Sequence, residues 1–160
     1  MTPETSHWVG RPIEDATRQL IAELTGHVNA LADLIADLRL TDTDIRIAAE
    51  SVVTRLRAHD EHPAEALQAA DRLLELLWPN AAPEQVGQAR WWRTPVGLLC
   101  ARATAAHDEA HVSHSVAAAI LDRAPGTMSA LRSRNALQRH PDGGFTRGSV
   151  LDRLARQHAL

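Results

Sequence analysis

In the first half of this chain the large apolar residues return at every third or fourth position. That spacing fits one face of a helix and not the alternation of a strand. Leu20, Leu24, Val28, Leu31, Ile35 and Leu38 form one row, whose later steps alternate three and four like a coiled-coil seam. A second row holds Ile45, Ala48, Ala49, Val52, Val53 and Leu56, and a third holds Leu67, Ala70, Leu73, Leu74 and Leu77. Pro12 and Pro63 each suit a first helical turn, where a missing N–H costs nothing. Thr41 and Asp44 have capping-box spacing, with Asp in the place of Glu. After a flexible lead over residues 1–11, a first helix is expected to run to about Leu40, with Gly26 a modest interruption. A second follows to the break at His59–His62, and a third runs from Pro63 to Trp78-Pro79-Asn80. Ala81–Arg93 reads as a short helical piece, and Thr94-Pro95 caps and opens another helix to about Ala106.

Composition points the same way. Of the 160 residues 44% are hydrophobic, mostly Ala and Leu, with one Phe and no Tyr. Ala and Leu lose little side-chain freedom in a helix, whereas a large sheet draws on β-branched and aromatic residues. The single Cys100 excludes an intramolecular disulfide and any zinc site built on two to four cysteines. No apolar run approaches the ~20 residues of a membrane span, and no signal peptide is visible, so a cytoplasmic location is expected.

Charge divides the chain. All seventeen basic residues are arginine, each a planar fork suited to carboxylates, phosphates and guanine edges. Residues 1–80 carry fourteen acids and seven arginines, a balance of −7, and residues 81–160 carry six acids and ten arginines, a balance of +4. Such asymmetry points to an anionic partner for the second half only.

The pattern changes after the polar stretch His107–His111, which reads as a linker between a helical module over 12–106 and a second domain over 112–160. Ser113 can cap a short helix from His114 to Leu121, and Asp122-Arg123-Ala124 leaves room only for a tight turn. Pro125 opens another helix with Met128 and Leu131 inward and Thr127, Ser129, Ala130, Arg132 and Ser133 outward. A helix that enters the major groove needs such a small, polar and cationic face. Leu137 to Thr146, turning at Pro141-Asp142-Gly143-Gly144, reads as a β-hairpin, and Thr146 caps a closing helix with Val150, Leu151 and Leu154 inside.

This order, carried by Val112-Ser113, Ala117-Ala118, Ile120-Leu121, Pro125-Gly126-Thr127-Met128, Leu131, Leu137, Gly143-Gly144 and Thr146, resembles the MerR-like and excisionase-type winged helix-turn-helix family. The resemblance covers about Val112 to Ala155. Asp122 and Arg123 stand where that family usually has glycine and an apolar residue, and Asn135 stands where it usually ends the helix with glycine. The resemblance implies binding to double-stranded DNA, with Pro125–Asn135 as recognition helix and the hairpin as wing. Thr127, Ser129, Arg132 and Ser133 are the expected major-groove residues, Arg134 is a further expected DNA contact, and Arg139, His140 and Arg147 are expected to hold phosphates or the minor-groove edge through the wing.

The expected fold is therefore mainly α, with one small hairpin. The expected function is a transcriptional regulator acting as an oligomer, most simply a homodimer joined through Leu24, Val28, Leu31, Ile35 and Leu38. An architectural, excisionase-like, packaging or partition factor is the alternative, and a protein-binding scaffold with a degenerate reader is a third. His107, His111 and His114 near Asp108, Glu109 and Cys100 have spacing that can serve a metal, but the stretch reads as a linker, so neither a metal nor a cofactor is expected. Trp91-Trp92 suits core packing better than an interface anchor. No nucleophile elbow, P-loop, zinc helix or dinucleotide fingerprint is present, and an enzyme is not expected.

Overall fold

The computed structural model describes residues 11–32, 40–78 and 89–158, with the side chains of the first helix described from 13 to 29. The elements run α1 (Arg11–Ala32), α2 (Asp42–Arg57), α3 (Pro63–Leu77), a 3-10 turn (Trp91–Arg93), α4 (Pro95–Thr104), β1 (His111–Val112), α5 (His114–Leu121), α6 (Pro125–Ser133), β2 (Phe145–Thr146) and α7 (Arg147–Gln157). The lead expected up to residue 10, the expected continuation of the first helix through Ile35 and Leu38, and positions 79–88 lie outside the described residues.

The helix starts follow the local chemistry. The Thr41 hydroxyl accepts from the Asp44 N–H at 3.2 Å, and the Asp44 carboxylate accepts from the Thr41 N–H at 2.9 Å, closing the capping box. These bonds hold the Asp44 carboxyl below its ordinary range, the Thr41 side-chain bond contributing most. Thr94, Ser113 and Thr146 cap α4, α5 and α7 in the same way, each accepting from a backbone N–H three residues on. α4 ends at Thr104, two residues short of the expected Ala106.

α4 is the hub of the molecule. It packs against α1, α2 and α3 on one side and against α7 on the other, while α5 packs on α6 and α7. The 3-10 turn that leads into it is pinned to α1. Gln19 Nε2 donates to Thr94 Oγ1 at 2.9 Å, the Val96 N–H donates to Gln19 Oε1 at 3.1 Å, and Trp91 Nε1 donates to Glu23 Oε1 at 3.1 Å. Trp91 stacks edge-on against both Trp78 and Trp92, and both Trp91 and Trp92 are buried. The pair is core, the reading preferred over an interface anchor.

Three readings of the sequence need revision. Ala48 is exposed in α2, and in α3 Ala66 and Ala69 are buried beside the expected Ala70, Leu73 and Leu77, while Leu67 and Leu74 are half-buried. The two-stranded sheet is not the hairpin itself. β2 pairs antiparallel with β1 in the register His111↔Thr146 and Val112↔Phe145, and the hairpin adds a single bridge, Arg139↔Phe145. Finally, the stretch 107–111 is a structured crossing. Asp108 O accepts from the Gly148 N–H at 2.8 Å, Ala110 O accepts from the Arg147 N–H at 2.6 Å, and His111 begins β1. One apolar core runs without a gap from Ala16 and Leu20 through Trp92, Val96 and Cys100 to Phe145 and Leu154.

Candidate nucleic-acid interface

α5 and α6 are joined by three residues, and their geometry depends on Asp122. It lies in the left-handed region at φ 53°, where the Arg123 N–H reaches back to Ala118 O at 2.9 Å and closes the end of α5. Aspartate tolerates that conformation better than most side chains, so it stands in for a glycine. The Asp122 carboxylate is held from outside by Arg93 at 2.9 Å, which ties this turn to the 3-10 turn ahead of α4.

α6 buries Met128 and Leu131 and exposes Gly126, Thr127, Ser129, Ala130, Arg132 and Ser133. The outer face is low: Gly126 has open space beyond it, and the Ser133 hydroxyl folds back onto Ser129 O at 2.9 Å. The helix ends at Ser133, with Arg134 as cap, and Asn135 takes the left-handed position at φ 52° while the Ala136 N–H bonds Leu131 O at 3.0 Å. The expected stop at Asn135 is therefore the residue after the cap.

From there the chain makes a turn at residues 140–144. The Gly143 N–H donates to His140 O at 3.1 Å, and the Asp142 N–H donates to His140 Nδ1 at 3.2 Å. Gly144 has φ +62°, and a Cβ there would run into Val112 O, so the close approach of β1 requires glycine. The His111 and His140 rings lie 5.2 Å apart, and Gln138 N donates to Ser149 Oγ at 3.0 Å, fastening the hairpin to α7.

The chain matches no family model, no curated protein and no solved structure. Its interface must be read from its own residues.

The cations separate into two groups. Arg123, Arg132, Arg134 and Arg139 are exposed and make no ion pair among the described residues. They follow one another from the turn before α6 to the start of the hairpin. Arg156 pairs with Asp152 on the exposed side of α7. Arg147 is different. It bonds the Asp108 carboxylate through Nε, lies 5.6 Å from the Trp92 ring centre, and keeps 18% side-chain exposure against 8% for Asp108. Of the residues expected to touch DNA, Thr127, Ser129, Arg132, Ser133, Arg134 and Arg139 are exposed, His140 is half-buried, and Arg147 is turned into the junction between the halves. Arg123 belongs with the exposed group. Sequence reading passed over it as a turn residue, although its place two residues before Pro125 was the available signal.

In the expected assembly seam, Leu24 is half-buried and packs on the core of its own chain, and Val28 is half-buried. The Leu31 side chain lies outside the described residues, as do Ile35 and Leu38. Exposed large apolar side chains occur instead at Leu40, Ile47 and Leu76.

Among the described residues, no three His, Cys, Asp or Glu side chains come together as a metal site, and no helix is long and apolar enough to cross a membrane. Cys100 is fully buried, and its thiol is pushed far up by burial first and then by the Glu23 and Asp71 carboxylates. It stays protonated as a core side chain.

Proposed function

We propose that this protein binds double-stranded DNA, with α5 and α6 acting as a helix-turn-helix and the 137–146 hairpin as its wing. The observation that carries this reading is the surface from Arg123 to Arg139. A short helix presents small polar side chains outward, and four exposed arginines that make no ion pair among the described residues stand around it. A low face lets a helix approach base edges, and unpaired guanidinium groups can replace the counterions of the phosphate backbone. The resemblance to MerR-like and excisionase-type readers supports the same reading, with Thr127, Ser129 and Arg132 toward the bases and Arg123, Arg134 and Arg139 toward phosphates. Arg147 is left out of the contact set because Asp108 and Trp92 hold its side chain at the junction between the halves. In this reading the protein is a transcriptional regulator, and a single palindromic footprint distinguishes that role from the phased array of an architectural factor. Pairing of two chains would double the site read by one short helix.

The test is retention of the full chain on pooled genomic duplex fragments at low salt, followed by a salt titration. The logarithm of affinity is expected to fall linearly with the logarithm of salt, with a slope of about −0.9 per neutralised phosphate. A folded protein that retains no duplex at any salt concentration overturns the reading.

A further inference from the structure

A cleft of about 200 Å³ opens where the two halves of the molecule meet. α3 lines it with Leu67, Asp71 and Leu74, the segment after α4 adds His107 and Asp108, and α7 adds Arg147. Leu67, Asp71 and Leu74 are four and three residues apart, so they share one face of α3.

The cleft contains a guanidinium that is held through one nitrogen and open at the other two. Asp108 takes Nε of Arg147 and Trp92 lies against the group, yet its two Nη groups make no hydrogen bond among the described residues. A guanidinium has five N–H donors, and here four remain open in a fixed orientation. Such a fork suits a carboxylate. The Asp71 carboxylate, exposed, lines the cleft from α3 and has no ion pair among the described residues. Two carboxylates and one guanidinium line the cleft, so a simple anion meets an excess of carboxylate and a simple cation meets the open fork. A molecule carrying both charges answers both walls. Between them, half-buried Leu67 and Leu74 offer apolar surface.

We propose that this cleft binds a small aliphatic amino acid, its carboxylate on the Nη groups of Arg147, its ammonium at Asp71 and its side chain against Leu67 and Leu74. The cleft is smaller than the ~300 Å³ lower end for drug-sized ligands, which fits a ligand of this size. The ligand touches α3 and α7 together, and α7 begins at the residue whose backbone bonds Ala110 beside β1. A change in DNA affinity on binding rests on the proposed function; the binding itself does not.

Isothermal titration of the full chain with L-leucine and L-valine tests the proposal without DNA. Saturable heat is expected with at least one of them at millimolar concentration. L-leucinamide lacks the carboxylate and N-acetyl-L-leucine lacks the ammonium, and each is expected to bind at least about tenfold more weakly than leucine, the loss of one charge-assisted contact. Asp71→Asn is expected to weaken leucine binding by a similar factor. Asp71 is exposed, so the variant should keep the ligand-free melting temperature, which is measured alongside. No saturable heat with either amino acid, an analogue that binds as tightly as leucine, or a folded Asp71→Asn protein that binds like the parent overturns the proposal.

Discussion

Two arginines eight residues apart illustrate how position decides what a cation does. Arg139 is exposed beside the hairpin turn with no ion pair among the described residues, whereas Arg147 is drawn into the junction by Asp108 and Trp92. Truncating one partner of a largely buried pair leaves the other charge without compensation, at a cost of about 3 kcal/mol or more. Arg147→Ala is therefore expected to lower the unfolding free energy measured in urea by that amount, with a lower midpoint, and Asp108→Ala should do the same. Arg139→Ala should leave the midpoint in place and weaken binding to every duplex sequence alike. Arg132→Ala is expected to cost about 1–3 kcal/mol on a specific site and less on scrambled duplex, because a base contact carries sequence and a phosphate contact does not. Unfolding curves and filter binding on the same four variants check both statements. If Arg147→Ala proves as stable as the parent, the ion pair is not holding the junction.

At the scale of elements, the capping box of α2 gives a pH signature. The Asp44 carboxyl is held below its ordinary range in the folded chain, so its contribution is present above the ordinary value of 3.8 and disappears as pH falls through the lowered one. The stability difference between the parent and Asp44→Asn is expected to be constant from pH 7 to about pH 5 and to shrink toward pH 3. Thr41→Ala removes the other half of the box and should cost about 1 kcal/mol at neutral pH. Chemical unfolding at both pH values measures each. This box was legible in the sequence because its chemistry is local, and so were the caps at Thr94, Ser113 and Thr146 and the prolines that open α3, α4 and α6. What escaped is set by distant partners. β1 is two residues long, too short for any period, and it exists because Gly144 lets Val112 approach β2. Alanine is equally ambiguous: Ala48 and Ala66 look alike in a helical row, and only the neighbouring helices decide that one is exposed and the other buried. The exposed face of α6 followed from the inward pair Met128 and Leu131, but the loss of Arg147 to Asp108 depends on a contact between positions 39 residues apart.

At the scale of the whole molecule, a continuous core makes the C-terminal half dependent on the rest. α7 packs on α4, Gly148 sits so close to Ala105 O that a Cβ would collide with it, and Asp108 and Arg93 each hold a residue of the second half. A fragment beginning at Val112 leaves behind Trp92, Asp108 and the α4 surface, so its failure to bind DNA would say little about the intact chain. Cooperativity is the better measurement, and the placement of the tryptophans makes it direct. The chain has four, and none lies beyond position 92. Tryptophan fluorescence therefore follows the first half, while far-ultraviolet circular dichroism follows the helices of both. If the core acts as one unit, the two signals should give the same denaturant midpoint. Phe145→Ala sharpens the test. Phe145 is fully buried in β2, and removing its ring should cost about 3–5 kcal/mol. The fluorescence midpoint should then fall as far as the dichroism midpoint, although the substitution lies more than fifty positions beyond the last tryptophan. A fluorescence transition that stays in place while part of the dichroism is lost earlier would mean that the halves unfold separately, and that α4 joins two domains rather than running through one.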